Sequence, residues 1–245
     1  MVTVLSAEGL CKRFGQIVVA DDLSFSVSSS ECLGIIGPNG AGKTSVFNIL
    51  DGSIRPDQGR VVLDGRDVTL QSKHFRARQG MGRAYQIPQP FADLTAYENV
   101  LAASTFGGGL DSREAPAAAW KMMEITGLLG RATTMAGSLS LLDRKRLELA
   151  RALALRPKLL LLDEIAGGLT EMEVHQLAAL IRSIKPGIAI VWIEHVTNAL
   201  SAVADRVMAI HFGHKIAEGS PSAVMRHPAV QEVYMGTVMD APAVH

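Results

Sequence analysis

The stretch Gly37-Pro38-Asn39-Gly40-Ala41-Gly42-Lys43-Thr44 decides the fold, because it fits the pattern G-x-x-x-x-G-K-[ST] of a phosphate-binding loop. It follows an aliphatic segment, residues 33–36, that is typical of a buried strand, and it precedes an apolar segment, residues 45–50, with helical spacing. The pattern requires both flanking elements. The alternative is a glycine-rich turn between a strand and a helix that happens to end in Lys-Thr.

The residue types of this loop suit a polyphosphate. Glycine at 37, 40 and 42 lets the backbone curl so that successive N–H groups point inward, and the N-terminus of the next helix attracts the same negative charge. Lys43 is then placed to neutralise the β and γ phosphates, and Thr44 to ligate Mg²⁺. We predict that Gly37 to Thr44 and the adjacent Ser45 bind ATP.

Two acids end a second aliphatic strand, residues 159–162, at the carboxyl edge where open α/β sheets bind ligands. Asp163 suits the Mg²⁺ shell, and Glu164 suits the polarisation of the water that attacks the γ phosphate. The alternative is a pair of ordinary loop acids that cap the next segment. The phosphate-binding loop favours the functional interpretation.

A third aliphatic strand, residues 188–193, ends in Glu194 and His195. His195 is placed to donate a hydrogen bond to the γ phosphate and to position the attacking water. The alternative is a structural histidine at a strand end, and only its placement favours His195 over the chain's other histidines.

Composition excludes several classes of function. Lys plus Arg equals Asp plus Glu at 24 each, so no excess of positive charge is available to hold nucleic acid. Cys11 and Cys32 are the two cysteines and lack metal-type spacing, which favours a reducing cytosol. The longest aliphatic runs fall far below the roughly 18 to 20 residues that cross a bilayer, so membrane association requires a partner.

Hydrophobic patterning predicts an α/β protein. Residues 23–27, 33–36 and 61–63 resemble strands, several of them in hairpins. From residue 91 to residue 155 the apolar residues follow helical periodicity. Short aliphatic runs then alternate with helices, which indicates a parallel sheet covered on both faces. Two helix starts are marked by the pairs Thr170 with Glu173 and Ser140 with Asp143.

In this order, the motifs resemble the ATP-binding subunits of ABC transporters over nearly the whole chain. The resemblance implies that Asp163 and Glu164 are the Walker B pair and that His195 is the switch histidine. It implies that Phe14 stacks on adenine, and that Gln86 joins the Mg²⁺ site and senses the membrane partner. The alternatives are a core phenylalanine and a polar residue at a lobe boundary.

The resemblance also implies the architecture: a P-loop NTPase core with a mostly parallel sheet, an N-terminal antiparallel β subdomain and an inserted helical subdomain. We place the core and its β subdomain at 1–85 and 156–236, the helical subdomain at 86–155, and a tail at 237–245. The apolar patch 87–94 is expected to contact a transmembrane subunit.

More narrowly, residues 85–94, 193–195, 213–221 and 233–236 resemble ATPases of branched-chain and hydrophobic amino-acid importers. Importers of urea or amides are close competitors. The resemblance implies a peripheral subunit on the cytoplasmic face of the membrane, which works with a second ATPase subunit, permease subunits and, indirectly, a solute-binding protein.

The chain departs from the family at the signature loop, where Leu139-Ser140-Leu141-Leu142-Asp143 replaces Leu-Ser-Gly-Gly-Gln. In the family this loop closes over ATP bound to the opposite subunit, so we expect Ser140 to contact the partner's ATP only weakly. We therefore infer a heterodimer with unequal sites. Ile165 and residues 168–170 also differ from the usual pattern, which weakens the inference on subunit communication.

Three other functions compete with this interpretation. A metabolite kinase needs an arginine-rich lid, and Arg76, Arg78 and Arg83 are the nearest arginine cluster. A soluble ABC protein of DNA repair or ribosomes carries long coiled coils or tandem modules, and this chain shows neither. A regulatory subunit that binds ATP and hydrolyses it weakly fits the altered signature loop.

Overall fold

The computed structural model describes residues 2–195 and 197–239. The strands are β1 (Thr3–Phe14), β2 (Ile17–Ser28), β3 (Cys32–Ile36), β4 (Gln58–Leu63), β5 (Arg66–Asp67), β6 (Met81–Ala84), β7 (Leu159–Asp163), β8 (Ala189–Ile193), β9 (Arg206–His211) and β10 (His214–Gly219). The α-helices are α1 (Lys43–Asp51), α2 (Lys73–Arg78), α3 (Ala96–Ala102), α4 (Glu114–Ile125), α5 (Leu141–Leu153), α6 (Glu171–Ile184), α7 (Thr197–Val203), α8 (Pro221–Met225) and α9 (Pro228–Met239).

Two sheets form the core, as predicted. The first is antiparallel, in the order β2-β1-β4-β5, and the second runs β10-β9-β3-β8-β7-β6, with only β10 antiparallel to its neighbour. The strands β1, β5, β6 and β10 are additions to the strands that the sequence predicted. The α/β class, the mostly parallel sheet and the N-terminal antiparallel sheet are confirmed.

The parallel strands carry continuous aliphatic runs because both faces of their sheet are covered. Alternate side chains of β7 point to opposite faces, so Leu161 packs against the antiparallel sheet and α1, whereas Leu162 packs against α5 and α6. Every residue of β3, β7 and β8 is buried. The carboxyl ends of these three neighbouring strands therefore meet at one edge of a rigid core.

Helices α3, α4 and α5 lie between β6 and β7 and enclose a separate apolar cluster that includes Val100, Met123 and Leu147. Helix α5 joins this cluster to the main core, because Leu149 and Leu153 face the parallel sheet. The subdomain boundaries stay a prediction. Of the predicted tail 237–245, residues 237–239 end α9, and residues 240–245 lie outside the described part of the chain.

The two predicted helix starts differ in detail. Thr170 and Glu173 form a full capping box at the start of α6. At α5 the Ser140 hydroxyl accepts the Asp143 N–H at 3.1 Å, whereas the Asp143 carboxylate lies 3.5 Å from Arg131 Nε and 3.9 Å from Arg146 Nη1. Ser140 thus caps the helix, and Asp143 pairs with arginines instead of completing the cap.

Cys11 and Cys32 are free thiols, and burial, aided by the charge of Asp205, raises the pKa of Cys32 to about 12. Within residues 2–195 and 197–239, the helices are too short or too polar to cross a membrane.

Candidate functional site

The loop between β3 and α1 requires glycine because the chain passes very close to two neighbouring strands. A Cβ at Gly37 would lie 2.3 Å from the Ile210 carbonyl oxygen, and one at Gly42 would lie 2.3 Å from the Val19 carbonyl oxygen. Gly40 and Gly42 also adopt φ of 82° and 101°, which L side chains rarely allow. The loop is therefore held between β9 on one side and β2 on the other.

Lys43 is the buried cation at the centre of this loop. Its Nζ donates to the carbonyl oxygens of Gly37 at 2.8 Å and Pro38 at 2.9 Å. Burial lowers the pKa of Lys43, and the charges of Glu164 and Asp163 partly oppose that shift. The phosphate oxygens of a ligand can replace these two carbonyl oxygens, because they attract an ammonium group more strongly than neutral carbonyls do.

A cavity of about 450 Å³ opens over the loop. Eight of the predicted site residues line it: Asn39, Gly40, Gly42, Lys43, Thr44, Ser45, Gln86 and Glu164. Gly37, Pro38 and Ala41 belong to the same loop but do not line the cavity. The cavity combines backbone N–H groups, an ammonium group and two hydroxyls, which suits a polyphosphate anion.

Glu164 lies at the carboxyl end of β7, between two other predicted site residues. Gln86 Nε2 donates to Glu164 Oε2 at 2.7 Å, and His195 Nδ1 lies 3.3 Å from Glu164 Oε1. Glu164 has a φ of 46°, a strained value for a residue with a side chain, and its N–H donates to the Ile193 carbonyl of β8 at 2.9 Å. The structure thus brings Gln86, Glu164 and His195 together at one strand edge.

Asp163 lies differently from its neighbour. It is buried and directs Oδ2 to Arg83 Nη2 at 2.5 Å, and it is not among the residues that line the loop cavity. Its assignment to Mg²⁺ stays a prediction, as does that of Thr44 and Gln86. Across residues 2–195 and 197–239, no cluster of three or more His, Cys, Asp or Glu can hold a metal. The hydroxyl of Thr44, the amide of Gln86 and the carboxylate of Asp163 nevertheless fit Mg²⁺, because this ion takes one or two carboxylates plus phosphate oxygens and water.

Phe14 and Ser140 are two predicted residues that do not line the cavity. Phe14 ends β1, is 47% exposed, and has Lys12 Nζ 5.2 Å from its ring centre. Ser140 lies at the start of α5 with its hydroxyl engaged in the helix cap. The predicted role of Ser140 concerns a second subunit, so a single chain leaves it as a prediction. The role of Phe14 also stays a prediction.

Sequence reasoning missed three residues around the site. Ile17 and Val19 of β2 line the cavity and give it an apolar wall next to the loop. Buried Lys145 of α5 donates to the Gln86 carbonyl and links the helical segment to the strand edge. The apolar run at the start of β2 does not alternate with polar residues, and the sequence around Lys145 is equally silent, so neither gives a signal that separates these residues from ordinary core positions.

A second cavity, of about 530 Å³, lies between the edge strand β6 and the helices α3 and α5. We call it the β6 groove. Its lining includes Tyr85, Phe91, Leu94, Phe106 and Leu155. Phe91 and Phe106 are 55% and 77% exposed, so large apolar side chains face solvent here. The predicted apolar patch 87–94 thus borders a concave surface.

Two of the three arginines on which the metabolite-kinase alternative depends, Arg76 and Arg83, have structural partners. Arg76 is buried and donates to the carbonyl oxygens of Ile49 at 2.7 Å and Leu50, at the end of α1. Arg83 pairs with Asp51 and Asp163. These two guanidinium groups stabilise the fold and do not face the loop cavity, which disfavours an arginine lid.

Comparison with known proteins identifies the family of this chain. Residues 20–167 match the family described as ABC transporter, and residues 214–240 match the family described as branched-chain amino acid ATP-binding cassette transporter. The chain is 34% identical over 236 residues to the lipopolysaccharide export system ATP-binding protein LptB of Haemophilus influenzae, covering 96% of this chain and 98% of that protein.

It is also 34% identical over 249 residues to the high-affinity branched-chain amino acid transport ATP-binding protein BraF of Pseudomonas aeruginosa, covering 95% of this chain and 98% of that protein. Among solved structures, the ADP conformation of MJ1267, an ATP-binding cassette of an ABC transporter, aligns with a TM-score of 0.87 at 28% identity, covering 96% of this chain and 100% of that chain.

The close approach at Gly37 yields a prediction. Gly37→Ala forces the loop away from Ile210, which should lower the free energy of unfolding by about 1–3 kcal/mol and weaken binding of tripolyphosphate. The matched control is Gly130→Ala, where nothing lies within 4 Å of the added Cβ. Urea unfolding and calorimetric titration measure both effects. Parent-like stability and affinity in Gly37→Ala would contradict the proposed loop packing.

Proposed function

This chain belongs to the ABC transporter family of ATP-binding proteins and is an ATPase subunit, and from this premise we propose that it powers the import of branched-chain or other hydrophobic amino acids. The observation that carries the solute class is the match of residues 214–240 to the branched-chain amino acid family. That segment spans β10, α8 and all of α9, and it lies outside residues 20–167, which match the general ABC transporter family.

Similarity to LptB supports a second candidate, a subunit that powers export of a lipid-linked solute. Import of urea or amides is a third. Co-purification of the chain with its permease, followed by solute-uptake assays on the assembled transporter, separates these candidates. Uptake of leucine-like solutes by the assembled transporter supports the proposal, and transport of lipid or urea alone rejects it.

We propose the following roles at the loop cavity. Lys43 and the N–H groups of the loop hold the β and γ phosphates, while Ile17 and Val19 contact the nucleotide's less polar part. When bound, Mg²⁺ neutralises phosphate charge next to Thr44 and Asp163. Gln86 and His195 hold the Glu164 carboxylate at the strand edge by the contacts described above.

Hydrolysis then needs one proton transfer by the chain's own residues. Water attacks the γ phosphorus and gives a proton to Glu164, and the bond between that phosphorus and the bridging oxygen breaks, so ADP leaves with the electron pair. His195 is proposed to donate a hydrogen bond to a γ-phosphate oxygen. The strained backbone at Glu164 supports the proposal, since strain of this kind clusters at functional sites.

Glu164→Gln tests this assignment. Glutamine keeps the size and the contact with Gln86 but cannot accept a proton, so ATP binding should persist while turnover falls on the order of 10² to 10⁴-fold. Glu171→Gln, on the exposed first turn of α6, is the matched control and should keep parental turnover. Phosphate-release kinetics and calorimetry measure the two quantities. Unchanged turnover in Glu164→Gln would remove Glu164 from this role and favour the regulatory-subunit alternative.

We also propose that the second ATPase subunit is a different chain. The start of α5 would face the partner's ATP, and here Leu141 is 39% exposed while the acidic Asp143 replaces a glutamine. The Ser140 hydroxyl is already engaged with the Asp143 N–H. Bulk and negative charge at a helix N-terminus weaken its grip on a triphosphate. The site completed by this α5 should therefore be slow.

Restoring the family pattern tests the heterodimer. The purified chain alone should turn over ATP slowly, and the triple variant Leu141→Gly, Leu142→Gly, Asp143→Gln should raise that rate on the order of tenfold, since donors aimed at developing phosphate charge are regained. Two glycines in the first turn of α5 cost about 1 kcal/mol each, so thermal unfolding must accompany the assay. Brisk turnover by the parent chain alone contradicts the proposal.

The β6 groove is our proposed contact for a transmembrane permease subunit. Its lining is mainly apolar, and a permease segment that covers Phe91 and Phe106 would remove their exposed surface from water. Gln86 lies at the end of β6 and also contacts Glu164, so this surface adjoins the reaction site. We accordingly propose that the chain is a peripheral subunit on the cytoplasmic face and that a solute-binding protein is involved only through the permease.

A further inference from the structure

Arg83 joins the β6 groove to the strand end that carries Asp163. It lies in β6 opposite Leu161 of β7, and its side chain is only 7% exposed. Nη1 donates to Asp51 Oδ2 at 2.6 Å and to Asn48 Oδ1 at 2.8 Å, and Nη2 donates to Asp163 Oδ2 at 2.5 Å. One guanidinium group therefore connects α1, β6 and β7.

Two aromatic rings fix the same guanidinium group. Its carbon lies 5.5 Å from the ring centre of Phe47 and 4.7 Å from that of Tyr85. Cations are attracted to aromatic faces at such distances. Phe47 is buried, whereas Tyr85 is half-buried. The Tyr85 ring also lines the β6 groove, as Arg83 does. A change in the groove wall at Tyr85 therefore bears directly on Arg83.

Arg83 stays charged in this environment. A guanidinium group keeps its proton in proteins, and Arg83 donates hydrogen bonds to the carboxylates of both Asp51 and Asp163. A fixed positive charge thus lies in contact with one oxygen of Asp163. That charge opposes the approach of a second cation to the same carboxylate, and in a partly buried site the repulsion is weakly screened.

We propose that Arg83 is a positioning residue that holds Asp163 by Oδ2 and restrains its attraction for nucleotide-bound Mg²⁺, with Tyr85 setting the strength of that restraint from the groove. The inference rests on the proposed function, because it concerns the same nucleotide site. It adds a route from the proposed permease contact to the metal side of that site, through Tyr85, Arg83 and Asp163. A guanidinium group that only fastens β6 to β7 would leave the effect of Mg²⁺ on ATP affinity unchanged.

The test measures the Mg²⁺ gain, defined as the ATP dissociation constant in EDTA divided by that in saturating Mg²⁺, by calorimetry on the purified chain. Arg83→Met removes the competing charge and should raise the gain about tenfold. Arg83→Lys keeps a charge that cannot bridge both carboxylates and should raise it less. Tyr85→Ala should shift the gain in the same direction as Arg83→Met.

The matched controls are Arg76→Met and Arg76→Lys. Arg76 is also buried and also bonds the end of α1, but it pairs with backbone carbonyls rather than with Asp163. These variants should lose stability in thermal unfolding and keep the parental gain within about twofold. If the methionine variants do not fold, the lysine pair carries the comparison.

An Mg²⁺ gain in Arg83→Lys and Arg83→Met that equals or falls below the parent's, with the parent binding Mg-ATP normally, overturns the inference and leaves the proposed function intact. A parent chain that is folded and binds no ATP overturns the proposed function itself. A raised gain in the Arg83 variants alone, with a parental gain in Tyr85→Ala, rejects the groove connection.

Discussion

The site depends on how closely the loop after β3 approaches its neighbours. Gly37 and Gly42 press against the carbonyl groups of Ile210 and Val19, so the loop has no room for side chains at these positions. In the curled loop the Lys43 ammonium group donates to the Gly37 and Pro38 carbonyls, and the cavity opens next to the N-terminus of α1. The proposed triphosphate site therefore depends mainly on backbone packing, with few side chains involved.

The parallel sheet supplies the rest of the site. Because β7 and β8 are buried on both faces, their aliphatic runs fix the strand ends, and Glu164 and His195 arrive at the same edge as the loop. Gln86 reaches that edge from the end of β6, where Lys145 of α5 holds its carbonyl. Hydrogen bonds therefore connect Glu164 to helix α5 through Gln86 and Lys145.

The sequence predicted the elements with strong local signals. Glycine spacing identified the loop, aliphatic runs identified β3, β7 and β8, and Thr170 with Glu173 identified the start of α6. What it could not predict depends on contacts between distant residues. The Arg83–Asp163 pair spans 80 positions, and only the parallel register of β6 with β7 brings the two together. Asp143 illustrates the same limit through Arg131, which lies outside α5, whereas its other partner, Arg146, is three residues away in the same helix.

The most direct test of the central claim is calorimetric titration of the folded chain with millimolar Mg-ATP, next to Lys43→Met. The account predicts a saturable heat of binding for the parent chain and none for Lys43→Met, with both proteins folded by circular dichroism. Absence of binding heat in the folded parent chain, or equal affinity in Lys43→Met, would contradict the claim that this loop holds the triphosphate.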